Sequence, residues 1–520
     1  MLILIESPKH LLPFKFKSSN NIISHGANNI SKKLLDLFIN DHSTQKIIVS
    51  DLSETDYKIF DKETALKKNT YLTTYKMLKS YIESSEKIPD ICINFDSNIT
   101  KLIHFRNINK YTYPIIGLIH SLGFYSHFKS IEIIKRKFQE YDTFICPSKN
   151  TQQSLINFGF PQKNTTVIRY GVDSTKFKPT NYKNKLRKEL SININSKVIL
   201  TLGRISPGLK TDLTPIFKLL PNLIKNNPEL ILYIVGTVLD KSYVIELKNM
   251  AKTLKIENHI IWEHHPDHKD IQKYYQVSDI FISLSDCCGE TFGLTVLEAM
   301  STELPVIISK FAGYKNHLND KENGFYISSF TSDCELEKEY YTPENNEFGE
   351  IYSQTITLNY KQLKSYLLKL IQSKDLRKKV GQKARKTIKE KNSLEIMLNS
   401  YKNQISLILN KKNKEEKFIE IPNYINISNL FSHQCSHQLT YNDPFYLTKI
   451  TKEKLKNEDH FFFFENQLST YDLITPILFM LNKEPMTINQ LANKLQKTKA
   501  LVAKNCLFLL KQTFIKTNLN

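Results

Sequence analysis

Short apolar runs alternate with amphipathic stretches from the first residue to about residue 390, the order that builds parallel sheets flanked by helices. Residues 2–5, 47–50, 91–95, 115–120, 143–147 and 166–169 read as buried strands between polar loops. Residues 29–38 set Ile30, Leu34, Leu37 and Phe38 on one helical face, and Gly26 just ahead permits a tight strand-to-helix connection. A second cycle opens with a strand at 198–202, a helix at 213–226 and a strand at 230–235. It continues with strands at 260–262, 280–284, 306–309 and 325–327 and helices at 271–277 and 294–301. The polar stretch 178–195, with Pro179, suits a hinge between the two cycles.

Helical periodicity then covers 360–371, 376–389 and 394–409, and the charged run 410–417 marks a boundary. Beyond it lie a strand-like 461–465 and helices at 470–481, 488–495 and 500–512. Thr487 and Gln490 have the spacing of a capping box, and 514–516 completes the pattern of a small winged-helix-type module. The expected fold is α/β: two tandem Rossmann-like domains, 1–178 and 179–409, followed by a small, mostly helical domain, 410–520.

Composition narrows this picture without redirecting it. The chain has 520 residues, 41% hydrophobic and 24% charged, which suits globular domains and excludes a mainly disordered chain. Its longest apolar run, 230–239, is half of what a spanning helix needs, and Glu6 interrupts the apolar start, so neither membrane spanning nor secretion is expected. Seven scattered cysteines without a C-x-x-C pair read as reduced thiols of a cytoplasmic protein. The net charge of +20 favours anionic partners and permits peripheral membrane association, but it is spread along the chain rather than gathered into a patch.

The chemistry is narrowed first by absences. Without G-x-G-x-x-G or G-x-x-x-x-G-K-[ST], neither a dinucleotide oxidoreductase nor a P-loop NTPase is supported. Without Asp-x-Asp, a metal-held nucleotide sugar is disfavoured, so no metal and no cofactor is expected. The informative segment runs from Cys288 through Gly289, Glu290, Thr291, Phe292, Gly293 and Leu294 to Glu298, following one strand and opening a helix. Its glycines let backbone amides approach a ligand, and a helix N-terminus suits a diphosphate. Glu290 in the loop and Glu298 on the helix are acceptors for hydroxyls at opposite ends of a nucleotide sugar. Solvated glutamates decorating a helix start are the blander alternative.

This segment, together with Leu304-Pro305-Val306-Ile307 and Asn323-Gly324-Phe325, resembles the E-x7-E region of glycosyltransferase family 4. The resemblance implies a GT-B fold of two Rossmann domains facing across a cleft. It also implies transfer of a sugar from a UDP- or GDP-linked donor with retention of anomeric configuration. Glu290 would contact the transferred sugar and Glu298 the ribose. Arg204 and Lys210, in Gly203-Arg-Ile-Ser-Pro-Gly-Leu-Lys210, match the cation pair that grips the diphosphate, with one residue more between them than is common. Such cations stabilise a departing nucleoside diphosphate without a metal. His120 matches a cleft-facing histidine, Gly26 the glycine loop near the start of the fold, and Ile168-Arg169-Tyr170-Gly171-Val172-Asp173 the domain crossover, where Asp173 would cap or orient the hinge. The acceptor stays open among glycan, lipid, peptide and small molecule.

Four features fall outside the resemblance. The acidic stretch 331–358 predicts an excursion at the cleft rim. His433-x-Cys435-x-His437 lacks a named fourth ligand, and Pro266 disfavours a helical metal face in 264–268. In the terminal module, Lys504, Asn505, Lys511 and Gln512 would face a duplex if 500–512 were a recognition helix, yet no arginine occurs after Arg385. Docking on the transferase core, or on a protein or peptide, is therefore favoured over nucleic acid. The alternative is a nucleic-acid- or protein-binding module fused to a degenerate or macromolecule-directed core.

Overall fold

The computed structural model describes residues 1–6, 14–15, 22–23, 26–40, 46–49, 70–72, 75–123, 125–134, 137–267, 269–333, 348–411, 431–456 and 471–519. The chain forms two compact units. One comprises residues 1–122, 126–172 and 391–426, and the other 123–125, 173–390 and 427–520.

The first unit is built on seven parallel strands: β1 (Leu2–Glu6), β2 (Lys46–Val49), β3 (Thr70–Leu72), β4 (Ile91–Asn94), β5 (Ile115–Leu118), β6 (Thr143–Cys146) and β7 (Thr165–Val167). Their order across the sheet is β3-β2-β1-β4-β5-β6-β7. Strands β4, β5 and β6 are buried throughout, as strands covered on both faces must be. Beneath them Arg106 and Asp142 form a bidentate pair at 2.6 and 2.9 Å. The Asp142 oxygens also accept from the N–H groups of Ile115 and Gln139 at 2.8 Å, so this buried charge is fully partnered. The chain returns to this unit late. Helix Leu394–Lys411, expected with the second domain, follows a parallel bridge between Val172 and Ser393 and belongs here.

The second unit holds six parallel strands: β8 (Lys197–Leu202), β9 (Leu230–Gly236), β10 (Ile260–His264), β11 (Ile280–Ser283), β12 (Val306–Ser309) and β13 (Phe325–Ile327). They are arranged β10-β9-β8-β11-β12-β13. Strand order reverses between β8 and β11, and open α/β sheets place ligands at the carboxyl ends of strands beside such a reversal. Leu220, Leu232, Ile282, Leu363 and Leu367 share one core between sheet and helices. Where a polar hinge was expected, helix Lys183–Glu189 packs inside this unit instead. Its Arg187 is buried and, with Lys183, pairs with Asp279 at 2.8 and 2.7 Å.

The terminal segment falls in the second unit. Strand β14 (Ser329–Ser332) pairs antiparallel with β15 (Thr357–Leu358) and parallel with β16 (His437–Leu439). Strand β17 (Pro444–Leu447) pairs antiparallel with β18 (Met486–Thr487) and β19 (Ile515–Thr517). Helices Tyr471–Lys483, Ile488–Leu495 and Lys499–Lys511 accompany them, and the expected capping box at Thr487 and Gln490 is formed. The strand expected at 461–465, the charged boundary at 412–417 and the acidic residues 334–347 lie outside the described residues.

Candidate active site

Strand β8 ends at Leu202, and the loop that follows is fixed by its neighbour. Ile205 donates to the carbonyl of Thr237 at 2.8 Å, and a Cβ at Gly236 would lie 1.6 Å from the carbonyl oxygen of Gly203. Only glycine permits that approach. Arg204 stands exposed on the loop with Nη2 donating to the Leu209 carbonyl at 3.0 Å, while Lys210 turns inward. Gly203, Arg204, Lys210, Thr211 and Ser283 line a common recess.

The second loop follows β11. Glu290 accepts from Lys210 Nζ through Oε2, and these side chains are 14% and 13% exposed. Tyr314 completes the cluster: its hydroxyl lies 2.7 Å from Ser283 Oγ, accepts from Lys210 Nζ at 3.1 Å and approaches Glu290 Oε2 at 3.4 Å. Burial alone would push the Glu290 carboxyl up, but the Lys210 ammonium, its hydrogen bond and the Arg204 charge hold it below the usual range. The same pairing keeps Lys210 above its ordinary value against the pull of burial. Both groups are therefore ionised at neutral pH.

Gly293 caps helix Leu294–Ser301 in a left-handed conformation, φ 89°, and a Cβ there would lie 2.1 Å from the Tyr314 ring. The loop is fastened further by His317, whose Nε2 lies 2.5 Å from the Phe292 carbonyl. Thr291 and Phe292 are buried, whereas Gly289, Glu290 and Leu294 keep partial exposure. On the helix, Glu298 accepts from the Tyr275 hydroxyl at 2.7 Å. Burial pushes its carboxyl up to about 7, an effect only partly offset by Tyr275 and by the charges of Lys176 and Lys210.

Arg204, Lys210, Gly289, Glu290, Thr291, Phe292, Gly293, Leu294 and Glu298 thus all belong to the second unit. His120 and Gly26 belong to the first. His120 follows β5, with Nδ1 2.6 Å from the Tyr170 hydroxyl. Gly26 is the first residue of helix Gly26–Asn40, not a loop residue ahead of it, because the helix begins three positions earlier than its apolar face suggests. Asp173 orders its own turn, accepting from Thr175 N and Oγ1 at 3.0 and 2.6 Å. Among the described residues, no group of three or more His, Cys, Asp or Glu side chains is placed to hold a metal ion. His437 is exposed and stacks on Phe330.

Sequence reasoning missed Tyr314, Ser283 and Tyr275. The available signal was position: Ser283 ends β11 and Tyr314 follows β12, at the carboxyl ends of strands where ligand sites form.

Fold and site define the class: this is a GT-B architecture with a Lys210–Glu290–Tyr314 cluster joining two loops of its second unit. Residues 182–339 match the family model described as Glycosyl transferases group 1. It is 28% identical over 221 residues to the alpha-monoglucosyldiacylglycerol synthase of Streptococcus pneumoniae, covering 41% of this chain and 48% of that protein. It is 23% identical over 179 residues to the mannosylfructose-phosphate synthase of Agrobacterium fabrum, covering 34% and 38%. The chain thus spans about half or less of the length of these curated relatives. Anabaena HepE, solved with UDP and glucose, shares the fold at TM-score 0.55 and 16% identity, over 78% of this chain and 100% of that one.

Proposed function

We propose that the protein is a retaining, metal-independent family 4 glycosyltransferase that moves a sugar from a UDP- or GDP-linked donor to an acceptor. The observation that carries this reading is the Lys210–Glu290–Tyr314 cluster beside Arg204, at the start of the helix that bears Glu298. A donor diphosphate would compete with Glu290 for Lys210, with Arg204 adding a second cation and the backbone N–H groups near Gly293 further donors. Released from Lys210, the Glu290 carboxylate accepts from hydroxyls of the transferred sugar, while Glu298 accepts from the ribose. Leaving-group charge is then met by Arg204 and Lys210 without a metal ion. His120, on the first unit, is assigned to the sugar or the acceptor.

The named relatives make a glycosyl diacylglycerol and a phosphorylated disaccharide, products of dissimilar acceptors, so the acceptor class is left open. No helix among the described residues is long and apolar enough to cross a membrane, and any lipid acceptor would be met at a membrane surface. The test is a screen of UDP- and GDP-sugars for donor turnover, with the anomeric configuration of the product read by NMR. Turnover that persists in EDTA with retained configuration is expected. Inversion, or loss in EDTA restored by magnesium or manganese, would overturn the assignment.

A further inference from the structure

Two buried carboxylates stand at the roots of the donor-site loops. Asp212 follows Lys210 by two residues, and Asp286 precedes Glu290 by four. Each takes a hydrogen bond from the end of helix Lys499–Lys511 or the residue after it. Lys511 Nζ lies 2.8 Å from Asp286 Oδ2, in side chains 0% and 2% exposed, and also donates to the Ser353 carbonyl at 3.0 Å. Gln512 Nε2 donates to Asp212 Oδ2 at 3.3 Å, and Lys218 Nζ holds Gln512 by donating to its carbonyl and its Oε1, both at 2.9 Å.

A buried ion pair is weak evidence for stability, since an apolar pair of equal volume often serves as well, but losing one partner leaves a buried charge without compensation. Asp286 Oδ1 has no hydrogen-bond partner among the described residues, so Lys511 is the principal compensation for that charge. Lys504, Asn505, Lys511 and Gln512, the residues a duplex-reading helix would expose, are all buried. Lys511 and Gln512 turn their polar groups into the unit and reach the roots of both donor loops.

We propose that Lys511 and Gln512 are positioning residues of the donor site, holding the Arg204–Lys210 loop and the Glu290 loop in register through Asp212 and Asp286. This rests on the transferase reading of that site. A misplacement of such groups by about 1 Å costs up to about a hundredfold in rate.

The test uses the full chain, with UDP and GDP titrated calorimetrically and donor turnover measured in parallel. If the parent binds neither nucleotide, the transferase reading fails and this proposal fails with it. Nucleotide binding by the parent with parental affinity in the variants overturns this proposal alone. Where the parent binds, Lys511→Met should weaken nucleotide affinity about tenfold, Lys511→Arg should recover most of it, and Lys516→Ala, an exposed cation on β19, should change nothing. Asp286→Asn combined with Lys511→Met should cost no more than the worse single change, because both break one link. A folded Lys511→Met protein with a lowered melting temperature but parental affinity and kcat would overturn the proposal, leaving only a structural pair. If Lys511→Met does not fold, Gln512→Leu decides: a loss of about threefold or more in affinity supports the proposal, and none overturns it.

Discussion

The hydroxyl of Tyr275 donates to Oε2 of Glu298 at 2.7 Å, yet burial still pushes that carboxyl up to about 7. Glu298 is therefore part protonated at neutral pH, and a ligand whose hydroxyls donate to it binds the ionised form. Nucleotide affinity should rise as pH increases from about 6 to about 8 and lose that rise in Glu298→Gln, as calorimetry at several pH values would read. Stability should move the other way. The folded protein binds this proton more tightly than the unfolded chain between 4.5 and about 7, so this contribution falls as pH rises through that window. Thermal melts of Glu298→Gln should lack that component.

Glu290 and Glu298 should separate in kinetics. Glu290→Gln keeps the shape but removes the carboxylate that competes for Lys210, so kcat should fall by about a hundredfold or more while nucleotide affinity is kept or raised. Glu298→Ala should weaken nucleotide binding about tenfold. Initial rates and calorimetry on both variants check the split, and equal effects on binding would remove the assignment of separate roles.

Tyr314→Phe deletes one hydroxyl shared by Ser283, Lys210 and Glu290. Losing a buried hydroxyl costs about 1–3 kcal/mol when its partners are left unsatisfied. Denaturant unfolding should show that loss, and turnover should fall with it, because the Lys210–Glu290 pair loses its lateral support.

Gly293→Ala should be more damaging than its size suggests. The residue sits at φ 89°, and the added carbon would lie 2.1 Å from the Tyr314 ring. Strain and overlap together predict destabilisation above about 1 kcal/mol and weaker nucleotide binding, read by thermal shift with and without UDP.

Much of this architecture is legible in the sequence because parallel strands buried on both faces appear as unbroken apolar runs. Helix Leu294–Ser301 and strand Phe325–Ile327 fall where the pattern puts them. Arg204, Lys210, Glu290 and Glu298 are found by motif, since their spacing along two loops is local. Tyr314 is not, because its role arises from a contact with Gly293, Lys210 and Ser283, made by chain distant in sequence. Helix Lys183–Glu189 was hidden for a related reason: its polar composition reads as a linker until Asp279 supplies partners for Lys183 and Arg187. The capping box and helix spacing of the terminal module are legible because they are local signals, whereas the Lys511–Asp286 pair spans more than two hundred residues and is not.

The late return of the chain to both units has a consequence for synthesis. Among the described residues, 391–411 complete the first unit and 431–456 and 471–519 the second, so neither is whole when its own sheet has left the ribosome. Domains usually fold as they emerge, N-terminal first. Here the sheet of the second unit ends at Ile327, and Lys511, the partner of Asp286, follows about 180 residues later, so that unit stays incomplete over that length of synthesis.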